Sequence, residues 1–397
     1  MNKKLGMAVA GAVMAFGASA ANAGITIPAG DWTIDIGGNV NAYYTNTRYD
    51  GVLDTEKGQP GGENSNTIGT GLLPAALGVG GKTRQNDLDI AFQFTFFTGV
   101  DSTDGNGSAN VFGANGAGGN SLNIRQAFMT FGDASWGSIK MGRDLGLFGS
   151  DAILSDMTLL GVGTGGGGNG NSTLGRIGSG YLYADWVGQI QYSSPNWNGF
   201  SFAAAARQPW GNTDNSDLGF DAKASYEWAG DVAGKVWVGG LSQKVDNGGV
   251  GAAHDEETAR AWEIGGKVSV AGFGLVGYYY DGKGMGLPVV ASANLPLSGL
   301  LITASDLDVD GGYVQATYTL PGIGTKLGAS WGISKIDGEG AQGDFENESW
   351  IIGAYHPLTK SLNLVAEYTD TDYEDIGLVK GVNGGAKTLA LGAILFF

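Results

Sequence analysis

The sequence predicts an all-β chain, a 16-stranded antiparallel transmembrane β-barrel with long extracellular loops, short periplasmic turns and a third loop folded inward. Three observations predict it. Apolar and polar residues alternate with period two over runs of about ten residues, the length that crosses a bilayer as a tilted strand. The connections between these runs are alternately long and very short. The 397 residues include no Cys, and no run past the N-terminal region reaches the ~18 apolar residues of a spanning helix. A chain stabilised in this way has to close its sheet, because an open edge would leave backbone donors unpaired in lipid.

At the N-terminus, Lys3 and Lys4 precede an apolar run from Leu5 to Ala18 and the small-residue cleavage site Ala21-Asn22-Ala23. Residues 1–23 therefore read as an export signal, leaving residues 24–397 as the barrel domain. Without the signal the chain carries 20 basic and 39 acidic side chains, a formal charge of −19. Such a surface disfavours nucleic acid and suggests a preference for cations.

The first strand alternates Trp32, Ile34, Ile36, Val40, Ala42 and Tyr44 with Thr33, Asp35, Asn39 and Asn41. A polar loop over residues 46–66 follows. Thr67 to Ala75 forms the second strand, limited at its end by Pro74, and Gly78 to Asn86 forms a turn. From Leu88 to Phe96 the alternation is clean, and a Gly/Asn/Ser loop runs to Asn120. Ser121–Phe131 and Gly137–Arg143 are strands joined by a tight turn. The connection from there to Gly180 holds Leu145, Leu147, Phe148, Ile153, Leu154, Leu159 and Leu160, too apolar for a solvated linker. It reads as a loop folded into the barrel mouth and narrowing it, with an outward loop carrying a small apolar cluster as the other reading.

Strands follow over Tyr181–Ser194, Gly199–Trp210, Phe220–Trp228, Lys235–Val245, Arg260–Val270, Phe273–Tyr280, Tyr313–Leu320, Lys326–Lys335, Ser349–His356, Leu362–Thr369 and Lys387–Phe397. Sixteen strands, eight longer loops on one edge and seven short turns on the other give the outer-membrane pattern. Sixteen is also enough to leave an aqueous lumen.

Other chemistry has little support. Gly81-Lys82-Thr83 lacks the first Gly of a phosphate-binding loop, since position 76 is Ala. Asp306 to Gly311 opens like a calcium loop, but Thr317 stands where the bidentate Glu is needed, so no metal site is assigned. His254 and His356 are far apart, and no Gly-x-Ser-x-Gly motif accompanies them, so neither an enzyme nor a cofactor is expected. Trp186, Trp228, Trp262 and Trp331 read as an aromatic girdle.

Four stretches carry a family resemblance: Arg125-Gln126-Ala127-Phe128 through to Met141-Gly142-Arg143; Asp151 to Gly161; Gln191 to Pro195 with Gly199-Phe200; and the terminal Phe397. The chain resembles the general diffusion porins of Gram-negative outer membranes over nearly its whole mature length, most faintly before Asn86. The resemblance implies a water-filled homotrimeric channel among outer-membrane lipid and lipopolysaccharide, with Phe397 in the signal read by the barrel-assembly machinery. It also implies a constriction in which loop acids face wall bases, with Asp156 as a constriction acid, Arg125 as a wall base, Arg143 at the loop's start, and Asp144 and Asp151 as further members. Leu160 and Ser193 stand where that family often has another acid and another Arg.

The function expected is passive diffusion of ions and small hydrophilic solutes. A substrate-selective channel for sugars or organic acids, or a plugged structural or adhesive barrel, are the alternatives.

Overall fold

The computed structural model describes residues 24–54, 64–100, 123–164, 172–209, 217–246, 256–285 and 307–397. The export-signal reading of residues 1–23 lies outside them. The strands are β1 (Ile25–Ala29), β2 (Trp32–Gly51), β3 (Asn64–Gly69), β4 (Ala75–Gln85), β5 (Leu88–Thr98), β6 (Asn123–Asp133), β7 (Gly137–Leu145), β8 (Trp186–Ser193) and β9 (Phe200–Arg207). They continue as β10 (Gly219–Trp228), β11 (Val232–Asp246), β12 (Glu256–Val270), β13 (Phe273–Lys283), β14 (Asp308–Thr319), β15 (Lys326–Ile336), β16 (Phe345–Pro357), β17 (Leu362–Glu374) and β18 (Gly384–Phe396).

Each strand pairs antiparallel with its sequence neighbour, and β18 returns to β2 with Leu391 opposite Tyr44. Gly38 and Phe397 exchange two backbone hydrogen bonds at this seam, 2.9 and 3.1 Å long. The result is a closed barrel of sixteen strands, because β3 and β4 are two halves of one wall strand along β2 and β1 is a short arm on the start of β2. Alternation sorts the two faces as a barrel in lipid requires. On β16, Ile351 is fully buried while its neighbours Trp350 and Ile352 are 58% and 57% exposed on the outside.

Several strands run longer than expected, β2 continuing to Gly51 into the polar loop expected over residues 46–66 and β17 to Glu374, and the wall differs more deeply in two places. Residues 75–85 form a strand where a turn was expected at Gly78 to Asn86, and the turn itself is confined to Asn86 and Asp87, both with positive φ. Glycines at 78, 80 and 81 weaken the strand signal, but they are required by what covers them: a Cβ on Gly81 would strike the Phe92 ring across the ladder. The interruption falls instead at residues 70–74, where Asn41 takes over from the ladder, donating to Leu73 O at 2.7 Å and accepting from Gly71 N at 3.0 Å.

The second difference is at residues 181–185, expected to begin a strand. Tyr181, Leu182, Tyr183 and Ala184 are buried on both sides, and β8 begins only after Asp185, whose φ of 55° turns the chain.

Candidate functional site

Between β7 and β8 the described chain runs over residues 146–164 and 172–185. Gly149, at φ 76°, provides the left-handed entry to a single helical turn, α1 (Ser150–Ile153). A 3₁₀ turn follows over Met157–Leu160, capped by Asp156, whose side chain accepts from Thr158 N at 2.9 Å and Thr158 Oγ1 at 2.7 Å. Such a cap satisfies a turn's orphan amide. Tyr181 OH donates a third bond to Asp156, at 2.7 Å.

This segment is bonded to one side of the wall, at β12, β14 to β17 and β2. Gly149 N donates to Glu263 on β12, and Tyr313 OH on β14 donates to Ala152 O, both at 2.8 Å. Gln315 on β14 accepts from Met157 N at 2.8 Å and donates to Ser155 O at 2.9 Å. The Arg176 guanidinium, with no exposed surface, donates to Ser330 Oγ on β15 and to Ser349 Oγ on β16, the latter at 3.1 Å. Burial brings Arg176 down to about 10, opposed by the attraction of Asp156, so it keeps its charge at neutral pH. Glu367 on β17 accepts from Val162 N at 2.7 Å and Gly163 N at 2.8 Å, and Tyr43 OH on β2 donates to Leu160 O at 2.7 Å. Leu72 N, in the wall's interruption, donates to Gly161 O at 2.9 Å. These backbone groups of a buried irregular segment are thereby satisfied.

On its other side the segment bounds a cavity of about 270 Å³ against β5 to β11. The cavity is lined by Arg125 on β6, Lys140 and Asp144 on β7, Lys223 on β10, Lys235 on β11 and Asp151 on α1. Lys223 and Lys235 reach Asp151 at 2.6 and 2.7 Å. Burial alone would push the Asp151 carboxyl up, but the two ammoniums outweigh it and hold it well below the usual carboxylate range. Asp144 accepts from Lys140 at 2.6 Å and from Gln126 at 2.9 Å. Arg125 lies over the Phe97 ring, 4.9 Å from its centroid. Half-buried Asp185, nearby at the mouth of β8, has its carboxyl raised by loss of solvent.

Of the five residues singled out from the sequence, Arg125, Asp144 and Asp151 line this cavity together. Asp156 does not line it and spends its hydrogen bonds within the segment. Arg143 faces outward, its Nε donating to Trp186 O at 3.1 Å. Lys140, Lys223 and Lys235 were missed, although strand parity carries a signal: Lys223 shares a face with Asp221 and Ser225, both buried.

A model of the Gram-negative porin family matches residues 8–376. The chain is similar in fold to OmpF of Salmonella typhi in complex with daunomycin, at 17% identity and TM-score 0.64 over 94% of this chain and 100% of that one. It is likewise similar to the outer membrane channel DcaP of Acinetobacter baumannii, at 15% and 0.63 over 94% and 100%. The trimer form of Vibrio cholerae OmpT matches at 14% and 0.53, over 92% and 99%. No curated protein matches the sequence.

Proposed function

The chain belongs to the Gram-negative porin family, which makes it an outer-membrane channel for diffusion, and we propose that ions and small hydrophilic solutes pass between the 146–185 segment and the wall from β5 to β11. One observation carries this reading. The segment's bonds to β12, β14, β15, β16, β17 and β2 draw it to one side of a closed barrel, and a charged cavity remains on the other. In this reading the segment is the inward-folded constriction, with Asp144, Asp151 and Arg125 at its narrowest charged ring and no catalytic step. Asp156 and Arg143 act there indirectly, through the shape of the segment and of the strand it leaves.

Lys140, Lys223, Lys235 and Arg125 outnumber the two carboxylates of the cavity. Charges at such close quarters govern selectivity more than distant loop charges, which salt screens beyond about 8 Å. The channel in this reading prefers anions, the opposite of what net acidity suggests.

The likeness to a trimer form supports a homotrimer embedded in outer-membrane lipid and lipopolysaccharide. Residues 1–23 would act as its export signal, and the C-terminal strand ending in Phe397 would be presented to the barrel-assembly machinery.

Single-channel recording in a planar bilayer under a KCl gradient tests the reading. Stable ohmic steps with a reversal potential on the anion side, moved further that way by Asp151→Asn, are expected. Folded barrels without conductance would overturn the channel, and a reversal potential indifferent to Asp151→Asn would remove the cavity from the path.

A further inference from the structure

The cations of the cavity are not equivalent. Lys140 is paired with Asp144, and Lys223 and Lys235 are paired with Asp151. Arg125 is 6% exposed, and among the described residues its Nη2 has no hydrogen-bond partner and no carboxylate reaches it at ion-pair distance, Asp185 attracting it only from farther off. A buried charged donor without an acceptor is costly, because it has lost its bond to water without gaining another hydrogen bond in exchange. Such groups are uncommon outside sites that meet a ligand.

The surroundings of Arg125 narrow the choice of ligand. The Phe97 ring lies against the guanidinium carbon, and Leu72, Leu147, Leu154, Leu159 and Ile177 line the same space. A fully hydrated ion gains nothing from such walls, whereas an apolar body does. The guanidinium, for its part, presents a planar fork of N–H donors that fits the two oxygens of a carboxylate. A volume of about 270 Å³ lies at the lower edge of ligand cavities, which run roughly 300–1,000 Å³. That limits the occupant to a single ring or a short chain.

We propose that the cavity is a binding subsite for small amphipathic carboxylates, with the carboxylate on Arg125 and the apolar body against Phe97, Leu147 and Leu154. The proposal rests on the cavity being the conduction path and adds a preferred class of solute to it. Passage of such a solute is saturable, since each molecule resides on Arg125 before moving on.

The test is current block in a planar bilayer, with protein purified as the native oligomer and benzoate, benzamide, acetate or inorganic phosphate added to the KCl bath. Benzoate is expected to reduce the single-channel current saturably, with benzamide, acetate and phosphate each about tenfold or more weaker, the range of one charged hydrogen bond or one buried apolar group. Arg125→Gln should weaken benzoate block by a similar factor, and Arg125→Lys by less, because it restores charge without the fork. Heat-modifiable gel mobility reports whether each variant has folded. Leu154→Asn is a second probe independent of Arg125, expected to bring benzoate down toward acetate. Normal KCl conductance with no benzoate block, equal block by phosphate, or block indifferent to both Arg125→Gln and Leu154→Asn would overturn the subsite and leave the channel standing. Absence of KCl conductance would overturn both.

Discussion

The Glu367 carboxylate on β17 accepts the Val162 amide at 2.7 Å across 205 residues of sequence. The same oxygen takes Gly163 N, and the other accepts from Tyr355 OH at 2.6 Å. Glu367→Ala strands all three donors in a buried place. The expected cost is about 1–3 kcal/mol for each amide left without an acceptor, read as a lower temperature for the heat-induced gel shift, with noisier single-channel current. A variant as heat-stable and quiet as the parent would deny Glu367 its role as a seat for the segment.

Gly332 on β15 offers a complementary test by addition of one methyl group. A Cβ there would strike Ser179 O and come within 2.6 Å of Arg176 Nη1. Gly332→Ala is expected to cost about 1–3 kcal/mol, the usual range for overpacking. Gly277 on β13 has nothing within 4 Å of such a Cβ, so Gly277→Ala should leave the melting temperature in place. Equal effects of the two would count against contact between the segment and β15.

Asp151 predicts a pH dependence. Its carboxyl is depressed by Lys223 and Lys235, so its contribution to stability is full above the unfolded value of about 3.9 and is lost as pH falls toward the folded one. Reversal potential and heat stability should therefore lose nothing through Asp151 from pH 7 down to about 4. Below that, stability should fall more steeply in the parent than in Asp151→Asn, which lacks the titrating group. Parallel acid limbs would refute the assignment.

Asp156→Asn should behave differently, because Asp156 is bonded to Thr158 and Tyr181 rather than facing the cavity. The reversal potential is expected to stay where it is, with about 1 kcal/mol lost from stability as one acceptor oxygen becomes a donor. A shift as large as that of Asp151→Asn would place Asp156 on the ion path.

From Leu88 onward the wall was legible because each strand has one face in lipid and one inside, and period two records that division directly. It failed at residues 75–85, where glycines under Gln93 and Phe92 carry no side chains to alternate, and at Tyr181 to Ala184, where both faces are buried and parity loses its meaning. Arg125, Asp144 and Asp151 came from resemblance around β6, β7 and the loop start. Lys223 and Lys235 did not, since their meeting with Asp151 across 84 residues or fewer is a product of barrel curvature, and no local pattern encodes it.

The seats of the 146–185 segment also impose an order in time. Glu263, Gln315, Ser330, Ser349 and Glu367 stand on strands from β12 to β17, so the segment cannot take its place before those strands have come together. Contacts this distant in sequence are slow to form and expose apolar surface while they wait. Phe148, Val162 and Leu182, all buried in the finished protein, remain uncovered until β12 to β17 have joined the wall. The seating of the segment is thus among the last steps of assembly: the wall closes first, and the chain from 146 to 185 settles against it afterwards.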